Sequence, residues 1–255
     1  MLEKWEFNVE RCIAARDKLK SKIYGSKLTE IWKDDFSPSK KIGNCTNICR
    51  KHYPADYKDF FEKYIAYGKE NLGKMTITDR GLSFDELIEL AMKFRDLALK
   101  KGIDLPVEDY LNCAICHIII ETFDGQKAER EFRDFLEKKG YGIKLLDGTE
   151  DSTYGVDIIA VKDGKESGIQ VKPISFFTKF PKEDLLKDQK NIFDKFVKAK
   201  REKGLTTYFA VYKMENGVRK WMVNDKGQWA SEKEYFFDED KRIKDFYKDF
   251  KILTK

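Results

Sequence analysis

Residues 154–173 read YGVDIIAVKDGKESGIQVKP, and how this stretch folds decides the organisation of the rest of the chain. Two apolar, β-branched runs flank Asp163 and Gly164, a dipeptide that turns one strand back on the next as an antiparallel hairpin. With the turn centred near Gly164, residues whose numbers sum to about 328 face each other, which sets Asp157 opposite about position 171. Side chains alternate along a strand, so Gln170 and Lys172 point to one side of the sheet, and with Asp157 they form a cluster at the end of the hairpin. Strands this apolar rarely carry three polar groups unless the groups serve one another or a ligand, because desolvation is costly. An Asp beside an amide or carboxylate oxygen suits a hard cation such as Mg²⁺. An adjacent Lys can orient or deprotonate an attacking water, or neutralise charge gathering on a phosphate. The competing reading is a surface hairpin whose Gln and Lys merely face water.

Working outward, residues 128–140 read AEREFRDFLEKKG, a helix with Ala128, Phe132, Phe135 and Leu136 on one face and Gly140 as its C-terminal stop. Asp124 and Gly125 break the chain before it. Short strands follow: YGIKLL, then the two hairpin strands, and then TTYFAVY after a long helix over DLLKDQKNIFDKFVKAKREKG. A final hairpin, VRKWMV–NDKG–QWA, leads into a charged, aromatic C-terminal helix, KRIKDFYKDF.

Asp157, followed after twelve intervening residues by Gln170-Val171-Lys172, resembles the D-(E/Q)-x-K signature of the PD-(D/E)xK nucleases, a superfamily that includes type II restriction endonucleases, Holliday-junction resolvases and Mrr-like enzymes. In those enzymes a Glu on the preceding helix completes the metal site. Gly125-x3-Glu129, with Gly140-Tyr141 eleven residues after the Glu, looks like the Mrr-like form of that helix. The resemblance spans residues 124–213 and implies Asp157, Gln170 and Glu129 as ligands of Mg²⁺, with Lys172 as the fourth catalytic residue. Three positions depart from the pattern. Gln170 stands where most members carry a carboxylate, Val156 stands where Pro is usual, and Glu131 rivals Glu129 as the helix carboxylate. The expected fold class is mixed α/β (α+β): a restriction-endonuclease-like core, with a central mixed β-sheet flanked by helices, over residues 124–255, and a helical N-terminal region over residues 1–123.

That N-terminal region has its own signals. Ser83 and Glu86 form a capping box that opens the periodic run LIELAMKFRDLALKKG, and Pro106 starts a helix running through Cys113 towards Phe123. Residues 34–54, DDFSPSKKIGNCTNICRKHYP, read as a loop or a short helix–turn unit. This is either a solvated connection or a DNA contact surface, in which Lys40, Lys41, Arg50 and Lys51 meet phosphates while Asn44 and Asn47 reach base edges. Cys113-Ala-Ile-Cys116-His117 matches the c-type haem attachment pattern, but attachment needs export, and the start MLEKWEFNVE lacks a signal-peptide core. Cys45, Cys49, Cys113 and Cys116 allow a four-thiolate zinc site, although cysteines packing buried helix faces suit the apolar run YLNCAICHIII better.

Composition sets the limits. The chain has 255 residues, 41% apolar and 37% charged, with a net charge of +5, which suits an ordinary globular protein able to bury a core. No apolar run approaches the roughly 18 residues of a membrane helix, so a cytoplasmic, membrane-free protein is expected. The charge is not concentrated: residues 1–123 carry 21 Lys+Arg against 20 Asp+Glu, so any DNA surface must come from local arrangement. No P-loop pattern appears, which excludes a built-in phosphate-loop motor.

Together these features lead to a type II restriction enzyme, a Mg²⁺-dependent, sequence-specific endonuclease of double-stranded DNA, with looser resemblance to the MjaI restriction-enzyme family. Such an enzyme implies a cognate DNA methyltransferase as genetic partner. A homodimer is expected because a palindromic site presents two equivalent strands. Trp5, Trp32 and Tyr53 are the candidate contacts for the dimer or for DNA, against the alternative, more usual for any single aromatic, that they pack in the core. The alternatives are an Mrr-like, repair or resolvase-type nuclease, a nuclease of damaged or modified DNA, and a catalytically silent DNA-binding protein on a nuclease scaffold.

Overall fold

The computed structural model describes residues 5–22, 39–100, 102–144, 146, 153–173, 176, 182–224, 230–231 and 250–252. The chain is mixed α/β and divides into two compact units, residues 1–126 and 127–255.

The first unit is helical. Its elements are α1 (Val9–Lys22), α2 (Ser39–Ile42), α3 (Cys45–His52), α4 (Tyr57–Glu70), α5 (Ile77–Arg80), α6 (Phe84–Leu99) and α7 (Val107–Ile115). The capping box at the start of α6 is present in full, with Ser83 and Glu86 satisfying each other's backbone donors. Arg80, almost fully buried, forks onto both oxygens of Glu86 and donates to the carbonyls of Met75, Gly68 and Gly81. A buried guanidinium is tolerated only with its donors matched in this way. All five cysteines are buried free thiols in the core of this unit. Trp5 also packs against that core, 5.5 Å from Phe61 and 5.4 Å from Phe84, and its indole N–H donates to Asn112 Oδ1. It is therefore committed to internal packing, the alternative to a surface contact. Trp32 lies outside the described residues.

Residues 39–42 and 45–52 are helical, which is the helix–turn alternative and not the loop. One local expectation fails: the chain does not break at Asp124 and Gly125, because a π-helical turn (Cys116–Glu121) runs straight into α8 (Thr122–Lys138), and the boundary between the units falls inside α8. One glycine within a helix costs only about 1 kcal/mol, and Tyr57 Oη bonds Asp124 Oδ1 at 2.7 Å.

The second unit holds a seven-stranded mixed sheet in the order β1 (Gly142–Lys144), β2 (Ile158–Lys162), β3 (Lys165–Pro173), β4 (Thr206–Glu215), β5 (Val218–Asn224) and β7 (Phe250–Ile252), with β6 (Ala230–Ser231) paired to β4. The first three strands run antiparallel, β3 and β4 run parallel, and the long helix α9 (Lys182–Lys203) crosses between them. Ala128, Phe132 and Leu136 of α8 pack on Ile158, Ala160, Ile169, Val171 and Ala210. On the opposite face, Ala199 of α9 meets Ile159, and Phe196 lies 5.2 Å from Phe209. The sheet thus carries a helix on each side.

The C-terminal hairpin differs from its expected form. β5 turns back from β4 through Asn216 and Gly217, both with positive φ, and pairs next with β7, not with the strand at Ala230. The Asn216-Gly217 hairpin fills one edge of β5, and β7 occupies the other edge, where the expected strand after the Asn-Asp-Lys-Gly connection would have paired. Residues 241–249 of the expected C-terminal helix lie outside the described residues, and Phe250 stands in a strand.

Candidate active site

The hairpin at residues 158–173 forms because Asp163 (φ 51) and Gly164 (φ 74) both adopt left-handed backbone, the geometry of a two-residue turn matched to strand twist. Lys162 therefore pairs with Lys165 and Ile158 with Ile169. The register is one residue tighter than expected, since a two-residue loop centres the turn between Asp163 and Gly164.

This shift changes how Asp157 reaches its neighbours. Its backbone N–H donates to Ile169 O at 2.7 Å, although Ile169 already pairs with Ile158. Two residues of one strand thus oppose one of the other, which is the arrangement of a β-bulge. Position 171 is not its backbone partner. The carboxylate makes that connection instead: Asp157 Oδ2 accepts from Val171 N at 2.7 Å and from Gln170 Nε2 at 2.5 Å. Gly155, at φ 63, turns the chain into this position, and Val156 behind it is fully buried. A bulge beside a carboxylate re-aims that side chain and holds it against the sheet.

Gln170 is only 5% exposed and Lys172 is half-buried. By alternation both leave β3 on the side opposite Ile169 and Val171. The Lys172 ammonium stands 5.6 Å from the centre of the Phe176 ring. Glu129 projects from α8, 8% exposed, and its spacing to Phe132 and Leu136 places it on the buried face of that helix, which covers the other side of the sheet. Glu131 is engaged elsewhere, since Arg219 Nη1 binds its Oε1 at 2.9 Å. The structure thus joins Asp157 to Gln170 directly, sets Lys172 on the side of Gln170, and separates the roles of the two helix carboxylates.

A donor set of Asp, Glu and amide oxygen is hard and suits Mg²⁺, not zinc. Among the described residues no group of three or more His, Cys, Asp or Glu side chains comes together, so a cation here would keep several waters. Among the described residues Cys45, Cys49, Cys113 and Cys116 do not come together as a metal-binding group, and burial pushes the Cys45 thiol up to about 12.

The expected DNA contacts of the first unit have varied positions. Asn44 is the N-cap of α3, its Oδ1 accepting from Asn47 N at 3.2 Å, so its side chain is already spent on the helix start. Arg50 Nε donates to Gln126 Oε1 at 2.9 Å. Lys51 donates to Tyr67 Oη at 3.2 Å, and the Asn47 and Lys41 side chains are exposed. The Lys40 side chain lies outside the described residues. A cleft of about 500 Å³ beside α6, floored by Leu82, Leu90 and Leu97 and edged by Lys41, Lys93 and Glu89, offers no nucleophile. The sequence reading had missed the bulge at Asp157 and the Glu131–Arg219 pair; only the burial of Arg219 distinguishes the two helix carboxylates.

No helix among the described residues is long and apolar enough to cross a membrane. No protein-family model and no curated protein matches this chain.

Proposed function

We propose that this chain is a Mg²⁺-dependent endonuclease of double-stranded DNA, a type II restriction enzyme whose second unit is a restriction-endonuclease-like core. The observation that carries the reading is the Asp157 carboxylate, held at a bulge by Gln170 Nε2 and Val171 N, with Lys172 two residues beyond on the side of Gln170. The order of elements supports it: α8, three antiparallel strands, the crossover helix α9, and β4 parallel to β3. Of the metal-ligand candidates, Asp157 is the anchor and Gln170 offers an amide oxygen; Glu129, on the α8 side of the sheet, would add a second carboxylate only by reaching past the strand end at Asp157. When bound, Mg²⁺ would polarise the phosphate and stabilise charge developing in the transition state. The protein's share of the work falls to its side chains. Asp157 stays oriented through two donors on one oxygen. Lys172 either supplies positive charge beside the reacting phosphate as its ammonium, or takes a proton from the attacking water as the neutral amine. The first unit supplies DNA contacts from Lys41, Asn47 and Lys51, and a homodimer would bring two such centres to a two-fold site.

Digestion of a plasmid with purified protein tests this reading. Mg²⁺-dependent linearisation is expected from the wild type, with loss of cleavage in Asp157→Ala and a fall of at least a hundredfold in the single-turnover rate of Lys172→Ala. DNA binding without any cleavage would instead support a silent scaffold, a role the missing carboxylate at Gln170 favours.

A further inference from the structure

We infer that Tyr53, at the C-terminal end of α3, is a post on which an unpaired nucleobase stacks; this rests on reading the chain as a protein that acts on DNA. Tyr53 ends α3 with φ 44 and ψ 59, its N–H bonded to Cys49 O at 3.1 Å. Glycine holds this left-handed position without penalty, whereas a residue with a Cβ is crowded there. Pro54, buried, follows and stops the helix from continuing.

The side chain held in this strained position is used by nothing among the described residues. It is 74% exposed, more than any other large apolar side chain among the described residues. Neither its ring nor its hydroxyl has a partner among those residues. Strain retained at an exposed aromatic is an observation that points outward, to a ligand.

The surroundings identify the chemistry. The last turn of α3 carries Arg50, Lys51 and His52. Lys51 Nζ rests on Tyr67, 3.2 Å from the hydroxyl and 4.6 Å from the ring centre, and makes no ion pair among the described residues. Lys63 Nζ reaches the carbonyl of His52, and Asp59 balances its charge. The nearby carboxylate of Asp56 is spent on capping α4. An exposed ring next to an uncompensated cation matches a base and its neighbouring phosphate. The exposed residues flanking Tyr53 along the chain are Lys51, Ala55 and Asp56, which form no apolar patch of the kind a protein partner would cover. Bases inside a duplex keep their faces stacked, so the ligand is DNA with an unpaired or splayed base.

The test is fluorescence anisotropy in EDTA, which prevents cleavage, with two duplexes of equal length: one fully paired, the other carrying a single unpaired 2-aminopurine. Wild-type protein is expected to bind the second more tightly and to change its 2-aminopurine emission. Tyr53→Gly should weaken that binding by about tenfold, the usual loss when a stacking ring is removed. It should leave the paired duplex unaffected and melt at the same or a higher temperature, because the strain is relieved. Tyr53→Trp should retain the preference. Equal affinities of Tyr53→Gly and wild type for the unpaired site overturn the inference, as does a wild type with no preference. A change in sedimentation with unchanged DNA affinity would make Tyr53 a protein contact and overturn it too. Plasmid cleavage separates the two readings: a protein that cuts but shows no preference loses only this inference, and one that neither binds nor cuts DNA loses both.

Discussion

Gln170 turns its side-chain amide onto Asp157, Nε2 to Oδ2 at 2.5 Å, so a neutral donor occupies the place where a second carboxylate would repel the first. Gln170→Glu removes the donor and sets two carboxylates against each other, which cannot both stay ionised without a cation between them. The variant should lose about 1–3 kcal/mol of stability in EDTA. Added Mg²⁺ should restore much of that loss. Thermal melting with and without the ion checks this, and a variant indifferent to Mg²⁺ would show that no cation bridges these groups.

The two helix carboxylates should separate cleanly. Glu131→Gln removes the negative charge that Arg219 pairs with, so it should lower stability by about 1–2 kcal/mol while sparing Mg²⁺-dependent cleavage. Glu129→Gln should do the reverse, with at least a tenfold fall in cleavage rate and a higher Mg²⁺ requirement. Near-wild-type cleavage in both would leave the site without a ligand from α8.

Acid should weaken the first unit through one pair. Hydrogen bonding from Arg80 is the main cause holding Glu86 at about 2, well below its ordinary 4.5. A depressed carboxylate contributes stability above its unfolded pKa and loses it as the pH falls through the folded value. The contribution, on the order of 3 kcal/mol, is therefore complete above about pH 5 and lost between there and pH 2. Urea titrations across that window should show the decline in wild type and a flatter profile in Glu86→Gln.

The thiols should be silent until the protein unfolds. All five cysteines are buried, and burial is the first cause pushing Cys12 and Cys45 up to about 12. A thiol reagent at pH 8 should label none of them in native protein and all five in denaturant. Rapid native labelling of Cys45 or Cys49 would mean that α3 opens readily.

What could be read from the residues, and what could not, follows physical lines. Asp163-Gly164 announced its hairpin because left-handed backbone has few suitable residues; the register missed by one because the turn's centre depends on both φ values, not on the glycine alone. Phe132 and Leu136 marked the core face of α8 by spacing, yet Gly125 looked like a break because tertiary packing can override a local propensity. The π-helical turn at 116–121 carries no compositional mark. Asp157 and Gln170 meet at the end of the hairpin, as their places along it implied, but the bulge that brings the Asp carboxylate to Val171 N is a property of the folded ladder. The Asn44 cap shows the converse: an Asn beside lysines resembles a base reader until the helix it begins is seen.

The hairpin also bears on the order in which the second unit assembles. Asp157 and Gln170 are separated by 13 positions, and their contact closes as soon as the turn at Gly164 zips, an event of microseconds. The parallel ladder that pairs Ser167 with Thr206 must wait until the whole of α9 has crossed over, a larger loop with a larger entropic cost. The contact between Asp157 and Gln170 is therefore local in the chain, whereas the sheet around it is closed by the slower, long-range pairing of β3 with β4.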